Sequence, residues 1–60
     1  MIKTVVIGAA GRMGRRLVAN IAESSTLELV GAVEYDGCPS LGADAGILAG
    51  VGELGVTIGA

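Results

Sequence analysis

Sixty residues with a formal net charge of −2, 52% of them hydrophobic, make a chain at the lower edge of what folds alone. A chain of that size buries only about 60% of the surface its unfolded form exposes. Tyr35 is its one aromatic and glycine occurs 11 times, so it has the apolar content of a buried sheet with little bulk to close a core. That balance is expected of a piece of a larger α/β domain; four basic residues form no face broad enough for nucleic acid, and no apolar run is long enough to span a bilayer.

The first element is a strand, Met1 to Ile7. Val5, Val6 and Ile7 in succession predict burial on both faces, as in a central parallel strand, and the run is too short for the apolar core of a signal peptide. Gly8 to Gly14 is a glycine-rich turn. From Arg12 to about Glu23 the pattern is helical, with Met13, Leu17, Val18, Ile21 and Ala22 on one stripe. Ser24-Ser25-Thr26 ends the helix, and Leu27 to Val33 is the next strand, closed by Glu34. So short a return places the second strand parallel beside the first by a right-handed crossover. Tyr35 to Gly55 is rich in small residues and contains Pro39; it reads as a long loop with one helical turn near Ala45 to Ala49. Gly55 to Ile58 begins a third strand. The fold class is therefore α/β, an incomplete Rossmann-type βαβ unit of an open parallel sheet.

The feature that carries chemistry is Gly8-x-x-Gly11-x-x-Gly14, directly after a strand and opening a helix. In that setting Gly8 permits a tight exit from the strand, Gly11 lets backbone approach a pyrophosphate, and Gly14 lets the helix pack closely on the sheet. Free amides of the first helical turn and the helix dipole then favour an anion. The spacing is one residue longer between the first two glycines than in the G-x-G-x-x-G form, and glycine turns also serve as plain connections. Glu34 lies 20 positions beyond Gly14 at the end of the second strand, where a carboxylate accepts both hydroxyls of an adenosine ribose and repels a 2′-phosphate. The alternative is a solvated charge ending a strand.

Arg12 stands beside the expected phosphates, placed to meet a 2′-phosphate or to stack on adenine; otherwise it is a solvent-facing residue opposed by the helix dipole. Met13 is expected to pack in the helix–sheet core. Tyr35 is either an exposed loop aromatic or a surface for the adenine, while Asp36, Cys38 and Asp44 have no assigned role. The single cysteine and the absence of histidine leave no disulfide framework, zinc site or histidine-activated nucleophile, a pattern that fits the cytosol.

Val6-Ile-Gly-Ala-Ala-Gly-Arg-Met-Gly-Arg15, Leu29-Val-Gly-Ala-Val-Glu34, Leu41-Gly-Ala-Asp-Ala-Gly46 and Gly55-Val-Thr-Ile58 together resemble, in order, the N-terminus of the dihydrodipicolinate reductase family. The resemblance implies reduction of a cyclic imine-type intermediate of the diaminopimelate and lysine pathway, with NADH or NADPH as hydride source. It also implies a cytosolic, usually homotetrameric enzyme acting on a small molecule, with no nucleic-acid or membrane partner. Residues matching Gly11, Arg12 and Met13 border the cofactor phosphates in that family, and the one matching Glu34 holds the adenosine ribose. Many members follow this Glu with a basic residue for the 2′-phosphate; Tyr35 stands there in this chain, so the expectation is NADH preferred or both cofactors accepted. The family's His-His pair, its Lys and its Ser-Gly-Thr turn belong to a C-terminal domain. Residues 1–60 are thus expected to be the N-terminal part of a dinucleotide-binding domain, inactive alone and without catalytic residues. Rival readings are an aspartate or homoserine dehydrogenase with the same start, against which the Leu41 to Gly46 loop argues, a non-catalytic nucleotide-binding module, and a truncated piece with no activity of its own.

Overall fold

A computed structural model describes residues 1–60. Strand β1 (Ile2–Ile7) leads through the glycine turn into helix α1 (Arg12–Glu23), followed by β2 (Leu27–Val33), helix α2 (Ala45–Ala49) and β3 (Ile58–Gly59). The strands form one sheet in the order β1-β2-β3, parallel throughout. The βαβ unit expected from the alternation of β-branched and helical patterns is therefore present, with the expected helix bounds.

Helix α1 covers one face of the sheet, and α2 packs against α1. The buried stripe of α1 is Gly14, Val18 and Ile21, one row at helical spacing. These side chains meet Val6, Ala9, Ala32, Ala45 and Ile58 in the core. Val18 is fully buried, so Val18→Ala is expected to cost about 2 kcal/mol, the transfer of the lost methyls plus the cavity they leave. Urea denaturation of the full-length protein measures this; Leu17→Ala, at a position 44% exposed, should cost less than half as much.

Two expectations about burial and one about a strand boundary are corrected. Val5 and Ile7 are 53% and 82% exposed, and only Val6 of that run is buried. The cause is that the sheet has one covered face within these residues, and β1 lies at its edge with β2 in the centre. Met13 is 75% exposed, since it lies about a quarter-turn from the Gly14–Val18–Ile21 row, and Ala22 is exposed on the other side. The third strand also begins later than Gly55: Thr57 pairs antiparallel with Asp44, and only Ile58 and Gly59 join β2.

Between Thr4 and Val5 the β1–β2 register shifts, with Thr4 opposite Leu29 and Val5 opposite Gly31, leaving Val30 as the extra residue of β2. The tips of both strands are nevertheless in step, Ile7 beside Val33. That alignment brings the glycine turn to the end of β2.

Candidate nucleotide site

The site is assembled at the C-terminal ends of β1 and β2. Gly8 leaves β1 with φ +78, in the left-handed region where a side chain would be strained. Its amide and that of Ala9 both donate to the carbonyl of Val33, at 2.8 and 3.2 Å. Gly11 then donates to the Gly8 carbonyl at 3.0 Å and accepts from Arg15 at 2.9 Å, which closes the turn and begins α1. Gly14 lies directly over the turn. A Cβ there would meet the Gly8 carbonyl and approach the Gly8 carbonyl carbon and Ala9 Cα to 2.7 and 2.8 Å. The close packing of helix on turn therefore requires the third glycine, as its place in the motif predicts.

Helix α1 starts without protection. Its N-cap, Gly11, offers no side-chain acceptor, and no acidic residue occupies the first turn. The amides of Arg12, Met13 and Gly14 precede the first i→i−4 bond and so have no partner inside the helix. Arg12, Met13 and Arg16, from the first turns of α1, line a depression of about 230 Å³. Three free amides, the positive end of a twelve-residue helix and two guanidinium groups converge in sign, an arrangement that accepts an anion such as a phosphate.

Glu34 lies across the turn from this helix end. Its Oε2 accepts the Ala10 amide at 2.8 Å and its Oε1 accepts the amide of Tyr35 at 3.2 Å, while its own amide donates to the Gly59 carbonyl at 2.8 Å. The carboxylate is thus fixed at the rim of the turn, and each oxygen keeps acceptor capacity for a further donor. The Tyr35 side chain is 65% exposed beside it. The structure brings Gly8, Gly11, Gly14 and Glu34 together and gathers Arg12 and Met13 on one depression; it buries neither Arg12, Met13 nor Tyr35. Met13, expected in the core, is available at the surface of this depression.

A larger cavity of about 330 Å³, lined mainly by Met1, Ile21, Leu27, Leu29 and Leu54 with Ser24 and Glu28 beside them, opens at the opposite end of the strands. No cluster of His, Cys, Asp or Glu has the form of a metal site. No helix is long and apolar enough to cross a membrane.

Asp44, which has no role in the sequence reading, organises the segment behind the site. Its Oδ2 accepts the amides of Gly46, Ile47 and Leu54 at 2.9, 3.1 and 3.0 Å, and its Oδ1 those of Gly55 and Val56 at 2.8 and 3.2 Å. The Leu54 amide foremost, then those of Ile47, Gly55 and Gly46, hold the carboxyl below the ordinary aspartate range against a smaller opposing effect of desolvation. Its place as N-cap of α2, with left-handed Gly50 as C-cap, is a signal the sequence carried: Asp before a short apolar run that ends in Gly. Cys38, also without a role, is buried.

Comparison with known proteins bears on this geometry. Residues 2–60 match the family model described as dihydrodipicolinate reductase, N-terminus. The chain is 57% identical over 58 residues to the 4-hydroxy-tetrahydrodipicolinate reductase of Geotalea daltonii, covering 97% of the chain and 22% of that protein. Identity to the proteins of the same name from Methanobrevibacter smithii and Sinorhizobium medicae is 52% and 49%, over 97% and 95% of the chain and 21% of each relative. The chain thus spans about a fifth of the length of the curated relatives it matches.

Proposed function

Because the chain belongs to the dihydrodipicolinate reductase N-terminal family, we propose that it is the cofactor-binding start of an NADH- or NADPH-dependent reductase acting on 4-hydroxy-tetrahydrodipicolinate in the diaminopimelate route to lysine. The observation that carries this reading is the pairing of an uncapped α1 N-terminus with a carboxylate fixed at the end of β2, Glu34 Oε2 lying 2.8 Å from the Ala10 amide. The first holds a pyrophosphate; the second holds the hydroxyls of an adenosine ribose.

In this reading the amides of Arg12, Met13 and Gly14 bind the phosphates, and the Arg12 guanidinium adds charge beside them. Gly8 and Gly11 keep the approach free of side chains: nothing lies within 4 Å of a Cβ built at Gly8. Glu34 orients the ribose, and the exposed Tyr35 ring flanks the adenine. A nicotinamide cofactor supplies hydride chemistry when bound. The chain's own residues bind and orient, and the groups that hold substrate and move its proton belong to a further domain of the full-length protein, assembled as a homotetramer in the cytosol.

The decisive assay is oxidation of NADH and NADPH by the full-length protein in the presence of 4-hydroxy-tetrahydrodipicolinate. Turnover supports the reading; cofactor binding without turnover on this substrate overturns the reductase assignment and favours a nucleotide-binding module. Cofactor choice gives a separate expected result. With a fixed carboxylate at the ribose and Tyr35 where a cation would meet a 2′-phosphate, NADH should bind at least as tightly as NADPH in a direct titration. NADPH binding tenfold tighter, a difference of about 1.4 kcal/mol, is the contrary outcome.

A further inference from the structure

The bond from Ala10 to Glu34 does more than a ribose ligand requires. Four consecutive amides run through the turn, and three are satisfied by backbone: Gly8 and Ala9 on the Val33 carbonyl, Gly11 on the Gly8 carbonyl. Ala10, at the apex, has only the Glu34 carboxylate, 24 residues away in sequence. No side chain caps the helix that follows, and the turn is entered through a glycine at φ +78. The apex therefore has one tether from outside, and that tether is a charge-assisted hydrogen bond, the stronger kind. The carboxylate is itself held from two sides, by the Tyr35 amide on Oε1 and through the Glu34 amide on the Gly59 carbonyl of β3.

We propose that Glu34 is a positioning residue for the glycine turn as well as a ribose ligand: by holding Ala10 it sets the apex that aims the first amides of α1, and so contributes to pyrophosphate binding whether or not a ribose diol is present. The inference rests on the dinucleotide reading of the site. It is distinct from it because a carboxylate that served the ribose alone would have no effect on a ligand lacking the ribose hydroxyls. An amide oxygen accepts the same Ala10 bond without the charge, so Glu34→Gln preserves the tether that Glu34→Ala removes.

The test uses the full-length protein and two probes, NADH and an NADH analogue whose adenosine ribose lacks both the 2′- and 3′-hydroxyls. In the wild type the analogue binds more weakly than NADH, the share of the ribose. In Glu34→Ala the analogue is expected to bind roughly tenfold more weakly than it does to the wild type, and in Glu34→Gln to return to within about threefold of it. Amide hydrogen exchange of the unliganded protein supplies the second readout: the Ala10 amide should be protected in the wild type and in Glu34→Gln, and exchange faster in Glu34→Ala. Equal affinity of wild type and Glu34→Ala for the analogue, or unchanged Ala10 exchange in Glu34→Ala, overturns the positioning role while leaving the ribose role standing. Failure of the wild type to bind NADH or NADPH at all overturns the site assignment itself, and the positioning role with it.

Discussion

Gly14→Ala is expected to abolish dinucleotide binding and to destabilise the protein by about 2 kcal/mol or more. The added Cβ would collide with the Gly8 carbonyl oxygen and lie 2.7 Å from its carbon and 2.8 Å from Ala9 Cα. All three are backbone atoms, so no rotamer change relieves the contact. Two effects oppose each other in the helix: alanine gains about 1 kcal/mol of intrinsic propensity over glycine, while overpacking costs about 1–3 kcal/mol and more where nothing can yield. The second prevails here because the turn and the helix would have to separate, which also pulls the amides of Arg12 and Met13 off their aim. Urea denaturation and an NADH titration of the full-length protein measure the two effects. Gly59→Ala is the control: no atom lies within 4 Å of its added Cβ and its backbone is not left-handed, so near-wild-type values are expected. Wild-type stability and affinity in Gly14→Ala would show that close approach is not what this glycine provides.

The second large effect is expected at Asp44, whose carboxylate gathers five backbone amides from residues 46, 47, 54, 55 and 56. Asparagine keeps one acceptor oxygen and turns an NH2 toward the remaining donors, so Asp44→Asn loses either the α2 cap or the Gly55–Val56 anchor. The damage reaches the core, because the same segment carries fully buried Ile58, whose amide donates to Ala43 at 2.9 Å. The pH dependence follows from the lowered carboxyl pKa. A group that binds its proton less tightly when folded contributes stability that is complete above its unfolded value, about 3.9, and is lost as pH falls through the lower folded value. The gap in Tm between wild type and Asp44→Asn should therefore be widest near neutral pH and close progressively below about pH 4. A gap of constant size across that range would show that the charge is not the agent.

These two positions mark how far the fold and site were legible in the sequence. Gly14 was legible because its cause is local and periodic: strand, glycine turn and helix follow one another, and the stripe at Gly14, Val18 and Ile21 follows from helical spacing. Glu34 was legible for a related reason, since a βαβ unit returns the second strand tip to the turn whatever its other residues are. Asp44 was legible only as the cap of α2, because three of its five partners lie ten to twelve residues ahead and meet it only when the chain folds back. Burial of Val5, Ile7 and Met13 is not legible for another reason: an apolar side chain states that it can be covered, while exposure depends on which elements lie over it. One face of this sheet has no covering element within residues 1–60, and Met13 lies off the helix row that meets the sheet.

Parallel strands have no hairpin to set their alignment, so something else must prevent β2 from slipping along β1. Here a clasp at one end does it. Gly8 and Ala9 grip the Val33 carbonyl, Ala10 grips Glu34, and Glu34 in turn grips Gly59, a row of ties running across all three strand tips. A slide of β2 along β1 by two residues would keep every side chain on its proper face yet break the ties of Gly8, Ala9 and Ala10. The ties that shape the mouth of the proposed nucleotide site are thus also the catch that indexes the sheet, so that a chain with misaligned strands has no such site to offer.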